Sequence, residues 1–136
     1  MTNDETLKNL RDAYARECAL LRRYAWFARM AQVEGYEGAA EVLRELAEAV
    51  EAHADGTLDY LKHSGDPLTG LPIGGTEENL YAALTGEQDA ALRRYPEMAQ
   101  TARDEGHHQA AAWFETLARG KQGHLRRLKG ALEDPE

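Results

Sequence analysis

Five polar side chains of this 136-residue chain, Glu17, His53, Glu87, Lys121 and His124, fall on helical stripes that are otherwise apolar. Two carboxylates and two imidazoles, drawn from four separate stretches of chain, are the donor types of a carboxylate-rich metal site inside a helix bundle. Taken singly, an inward histidine is more simply a hydrogen-bonded core residue; taken as a four-helix constellation, the set points to metal-site ancestry. Lysine does not fit that donor set. Its ammonium cannot ligate a cation, but it can neutralise carboxylates. The stretch that carries it, RGKQGH (119–124), puts Lys121 and His124 three residues apart on one helix face. Gly120 and Gly123 each cost that helix about 1 kcal/mol relative to alanine, and the expectation is that they make room beside the cluster. The residues therefore predict a core charge network. In it Lys121 pairs with Glu17 and Glu87, and one protonated histidine balances the remaining charge.

Four tyrosines, Tyr14, Tyr24, Tyr60 and Tyr95, accompany these groups. They read either as core packing with a hydrogen-bonded hydroxyl or as redox-active side chains beside the cluster. Lys121, Tyr24 and Tyr95 are the candidate reactive residues; Glu17, His53, Glu87 and His124 are the candidate metal ligands. Cys18 adjoins Glu17 but points off its stripe and reads as a small packing residue. His63, His107 and His108 read as solvated turn residues.

The elements that position these groups are helices. Apolar spacing of threes and fours predicts helices over about 4–32, 37–63, 77–103 and 107–133. Pro96 falls inside the third and predicts a kink there. The short connections VEGYEG and DEGHHQ predict two antiparallel hairpins. Between them HSGDPLTGLPIGGT is long enough for a crossover connection along the length of a helix. Residues 23–53 also align with 94–124 at a constant offset of 71, with 11 of 31 positions identical, including the Glu-Gly turns and His53/His124. In that register Lys121 falls opposite Val50. The fold class expected is an all-α, ferritin-like four-helix bundle of two helical hairpins, occupying 1–136 as one domain.

Composition narrows the partners. A net charge of −8 argues against nucleic acid and anionic membranes. One cysteine allows no intrachain disulfide and no paired-cysteine metal knuckle. The start MTNDETL lacks a signal-peptide pattern, and no 18-residue apolar run occurs, so a cytoplasmic protein is expected.

Several segments in order, TLKNLRDAYARECALLRRYAWFA, EGYEGAAEVL, TEENLYAALTGE, YPEMAQTARDEG and WFETLA, resemble rubrerythrins of the ferritin-like superfamily. The resemblance covers nearly the whole chain. It implies a four-helix bundle, a homodimer or larger oligomer, and hydrogen peroxide reduction at a non-haem di-iron centre fed by an external electron donor. By that resemblance Glu17 and Glu87 match terminal ligands, His53 and His124 match the histidines of two Glu-x-x-His motifs, and Tyr24 and Tyr95 match tyrosines lining the site. The departures fall on the bridging glutamates: Val50 stands in VEAH and Lys121 in KQGH. Ala90 stands where a further helix-three carboxylate is expected, and the rubredoxin-like domain is missing from the sequence. Two ferrous ions bring four positive charges, and Lys121 would add one more beside them. Like charges ~4 Å apart at an effective dielectric of ~20 cost about 4 kcal/mol per pair. The expectation is thus a divergent rubrerythrin-like protein with a depleted di-iron centre, metal-free or non-classical in its redox and stress chemistry. Two alternatives stand beside it: an iron- or manganese-dependent oxidoreductase using Glu17, His53, Glu87 and His124, and a non-catalytic binding module.

Overall fold

The computed structural model describes residues 4–136. Its elements are α1 (Asp4–Val33), α2 (Glu37–Leu61) with a 3-10 turn at Lys62–Ser64, α3 (Thr76–Asp89), a π turn (Ala90–Arg94), α4 (Tyr95–Asp104) and α5 (His108–Glu133). The fold is all-α, and the helix boundaries lie within a few residues of those the apolar spacing predicts. The chain divides into two compact units, Met1–Pro67 and Leu68–Glu136. The first is the hairpin α1–α2; in the second, α3 and α4 both pack along α5.

Each hairpin closes on the same turn. In the first, Tyr36 N–H donates to Ala31 O at 2.8 Å and Gly35 N–H to Gln32 O at 3.1 Å; in the second, His107 N–H donates to Ala102 O at 2.7 Å and Gly106 N–H to Arg103 O at 3.0 Å. This paired 6→1 and 5→2 pattern is the Schellman end of a helix, which needs a left-handed residue at its C′ position. Gly35 at φ 88° and Gly106 at φ 82° supply it. The residues that follow, Tyr36 and His107, share one backbone conformation (φ −93°, ψ 74°). The repeat read from sequence is therefore repeated hydrogen bond by hydrogen bond.

Small residues hold the cores. Ala28, Ala31, Ala40, Ala47, Val50, Ala54 and Leu61 are buried in the first unit, and Ala82, Ala91, Ala99, Ala102, Ala111 and Leu125 in the second. Four of these pairs are repeat mates: Ala28/Ala99, Ala31/Ala102, Ala40/Ala111 and Ala54/Leu125. Alanine costs little side-chain entropy and favours helix, so it lets paired helices approach closely without penalty. Leu61, at the end of α2, is the large side chain most fully buried. Tyr60 departs from its expected inward stripe and is 74% exposed, which removes it from any core role.

The irregularity expected at Pro96 lies just upstream of it. The helix path from Thr76 to Asp104 does not break at the proline; it widens into the π turn, and Pro96 then sits in the first turn of α4. A proline there is tolerated because its missing N–H falls where the α-helical ladder has already been interrupted. Upstream, α3 starts at Gly75, whose N–H donates to Glu78 Oε1 at 3.3 Å, while Asn79 Oδ1 accepts from Gly74 N–H at 2.7 Å. Glu77 and Glu78 in this first turn also complement the helix dipole.

Candidate functional site

The first hairpin brings two candidate residues together. His53 Nδ1 lies 3.1 Å from Glu17 Oε1. Glu17 comes from the middle of α1 and His53 from the second half of α2, so antiparallel packing sets them side by side. The carboxylate is 23% exposed and the ring 63%. One helical turn before His53, Val50 is buried at 8%.

The second hairpin brings together three. Glu87, two residues before the end of α3, faces α5. Its Oε1 accepts from Lys121 Nζ at 3.1 Å, and its Oε2 lies 2.9 Å from His124 Nδ1. Each carboxylate oxygen thus has its own partner. Burial alone would raise the Glu87 carboxyl, but the hydrogen bonds with His124 and Lys121, together with their charges, outweigh it and hold the group below its ordinary range. Lys121 is 26% exposed and Glu87 23%, whereas the His124 ring is 56% exposed.

These exposures correct one part of the sequence reading. The five groups were expected as a desolvated core set; no charged residue among the described ones is fully buried. The glutamates and Lys121 are half-buried, and both imidazoles reach solvent by more than half. The glycines of RGKQGH are corrected too. A Cβ at Gly120 would meet nothing within 4 Å, and one at Gly123 only the end of Arg126 at 3.8 Å. No close approach requires either glycine, and nothing in the structure explains them.

Of the tyrosines, Tyr95 stacks on Phe114 with ring centroids 6.4 Å apart and planes 16° from parallel. Tyr24, its repeat mate, is half-buried in α1. Burial raises the Tyr14 hydroxyl above its ordinary range, helped by a hydrogen bond with Cys18 and by the nearby Asp66 and Asp55 carboxylates. Tyr14 and Cys18 are thus one polar contact on α1, one turn before and one residue after Glu17.

One residue escaped the sequence reading. A cleft of about 440 Å³ in the second hairpin is lined by Ala83, Glu87, His124, Arg127 and Leu128. Arg127 is exposed and lies three residues after His124, so the same i, i+3 spacing that paired Lys121 with His124 would have found it.

With this geometry in place, comparison with known proteins is decisive. A ferritin-like domain model matches residues 7–136. A rubrerythrin of Porphyromonas gingivalis is 38% identical, over 97% of this chain and 68% of that protein. The chain belongs to the rubrerythrin family of ferritin-like proteins. Rubrerythrin-1 of Clostridium acetobutylicum is 32% identical over 97% of this chain and 72% of its own length. A solved nigerythrin structure aligns over 98% of this chain and 68% of that one at 24% identity, with a TM-score of 0.45. The ferritin-like domain match over residues 7–136 establishes the fold class expected from the sequence. No helix among the described residues is long and apolar enough to cross a membrane.

The rubrerythrin resemblance implies a di-iron centre, and the donor set of this chain can be tested against it. A carboxylate-bridged pair of metals needs carboxylates with free lone pairs at the bridging positions. By the resemblance, one bridging position carries an alkyl side chain in the core, Val50. The other is an ammonium that already holds one oxygen of Glu87, while His124 holds the second. Among the described residues, no three His, Cys, Asp or Glu groups converge as a metal site would require.

Proposed function

We propose that this chain is a rubrerythrin-family protein in which two-metal chemistry has been given up and the carboxylates of the ancestral site are held by internal partners. The observation that carries the reading is the Lys121–Glu87–His124 contact. An ammonium 3.1 Å from Glu87 stands at the position of a metal-bridging carboxylate, and it supplies to that carboxylate the positive charge that a cation would supply. Such a network serves a metal-free redox or stress-related role, with Lys121, Tyr24 and Tyr95 as its candidate reactive residues.

A second reading rests on the first hairpin. There His53 Nδ1 lies 3.1 Å from Glu17 Oε1, and a carboxylate with an imidazole can share one divalent ion with water. On this reading Glu17, His53, Glu87 and His124 serve an iron- or manganese-dependent oxidoreductase.

Elemental analysis separates the two. The chain, produced with iron and manganese available and then dialysed, should hold far less than two metal ions, and the double variant Val50→Glu, Lys121→Glu should hold more than its parent. Two tightly bound irons in the parent would overturn the metal-free reading. A single tightly bound ion, lost in Glu17→Gln, would favour the second.

A further inference from the structure

The internal repeat contains a step that the π turn explains. From Ala19 to His53 the first hairpin matches the second at an offset of 71; ALLRRY (19–24) stands against AALRRY (90–95). Upstream the offset is 70: Thr6/Thr76, Asn9/Asn79, Leu10/Leu80, Ala13/Ala83 and Glu17/Glu87 are identical. The change falls between Glu87 and Ala90, where Gln88 and Asp89 stand against Cys18 alone. The π turn at Ala90–Arg94 follows at once, whereas α1 runs unbroken from Asp4 to Val33.

An extra residue in a plain α-helix would rotate everything before it by about 100° relative to everything after it. Glu87 would then point away from α5 while Tyr95 stayed on Phe114. Instead, Glu87 meets His124 Nδ1 at 2.9 Å and Glu17 meets His53 Nδ1 at 3.1 Å, the same pairing in both hairpins. A π turn takes up one residue more than an α turn, so the excess is absorbed locally and both ends keep their faces.

The turn is also clasped. Asp89 accepts from Arg93 Nε at 2.7 Å and from Arg94 Nε, the latter across the five-residue step that a π turn brings into line. Arg23, the repeat mate of Arg94, has no such partner in register and lies over the Phe27 ring instead, 5.2 Å from its centroid. The carboxylate that clasps the turn is thus one of the two residues standing where α1 has Cys18.

We infer that the π turn and the Asp89–Arg94 clasp are positioning elements that absorb the extra residue and so keep the third helix in the register presenting Glu87 to His124 and Lys121. The inference rests on Glu87 being the site carboxylate, but not on whether metal is bound. The widened turn is built by an insertion, and Pro96 is accommodated by it rather than causing it.

The test uses the full chain and histidine ring ¹⁵N spectra, with His53 as an internal reference, supported by crystal structures of the variants. Asp89→Ala should move the His124 Nδ1 signal toward that of a free imidazole and leave His53 unchanged, and Asp89→Glu should restore it. Deleting Gln88, which gives the third helix the length of its twin, should abolish the π turn and keep His124 paired. Inserting one alanine after Cys18 should create a π turn in α1 with His53 still paired, a test that does not depend on the folding of α3. An unchanged His124 in Asp89→Ala would overturn the clasp. A π turn surviving the deletion, a plain α1 after the insertion, or loss of the turn in Pro96→Ala alone would overturn the insertion. Metal content plays no part in these readouts, so two irons in the parent would defeat the proposed function and leave this inference standing.

Discussion

Replacing Lys121 with methionine removes the ammonium and keeps an unbranched stem of similar size. At 3.1 Å, an ion pair at an effective dielectric of ~20 has a gross attraction on the order of 5 kcal/mol. Both partners are about a quarter exposed, so solvent screening and the entropy of fixing the lysine take back most of that. A net loss of about 1.5 kcal/mol follows, the size of a hydrogen bond to a charged group. For a chain of 136 residues this is a fall in Tm of about 5 °C at neutral pH. The pH dependence gives the sharper check. The Glu87 carboxyl is held below its ordinary value, so its contribution is complete above the unfolded glutamate range and is lost as pH falls through the depressed folded value. The gap between parent and Lys121→Met should therefore persist at pH 7 and close in acid, read by denaturant titration at several pH values. A variant as stable as the parent at pH 7 would refute the ion-pair account. A gap unchanged in acid would assign the loss to packing of the stem instead.

Glu87→Gln should destabilise more than Glu17→Gln, by about 1 kcal/mol, because it strands the half-buried Lys121 ammonium in addition to losing the His124 contact; urea midpoints of the two variants compare them directly. Gly35→Ala and Gly106→Ala should each cost about 1 kcal/mol, and by similar amounts, since their added Cβ meets nothing within 4 Å and the penalty is purely that of positive φ. Gly120→Ala should do the reverse and stabilise by about 1 kcal/mol, as it fills open space beside an ordinary helical backbone.

How far the sequence could be read varies from residue to residue. The helices and hairpins were legible because their apolar spacing and Glu-Gly turns are local signals. Helix periodicity put Glu17, His53, Glu87 and His124 on inward stripes, but which imidazole meets which carboxylate depends on the packing of each hairpin, which spacing alone does not show. Lys121 was expected to pair with both Glu17 and Glu87; in the second hairpin its Nζ meets Glu87 Oε1. Tyr60 was misplaced because at the end of α2 the inward position falls on Leu61, which is buried, and the step of about 100° between neighbours on a helix turns Tyr60 outward. The π turn was missed because Pro96 drew the expected irregularity to itself, while the deciding signal is a change of one in the repeat offset. Arg127 was passed over because charged side chains beside a stripe usually face solvent, and sequence does not show a cleft.

The brevity of the two hairpin turns has a further consequence for how the chain meets proteases. Glu34–Tyr36 and Glu105–His107 are bound into Schellman geometry and offer no extended stretch for an enzyme to grip. Residues 65–75 lie between the helices of the two hairpins, punctuated by Gly65, Gly70 and Gly74 at positive φ, and offer a stretch of non-helical backbone. A single nick there would leave Glu17 and His53 on one fragment, and Glu87, Lys121 and His124 on the other. Each carboxylate would remain on the same polypeptide as the base that holds it, so this chain can be cut in two without severing either of its charged pairs.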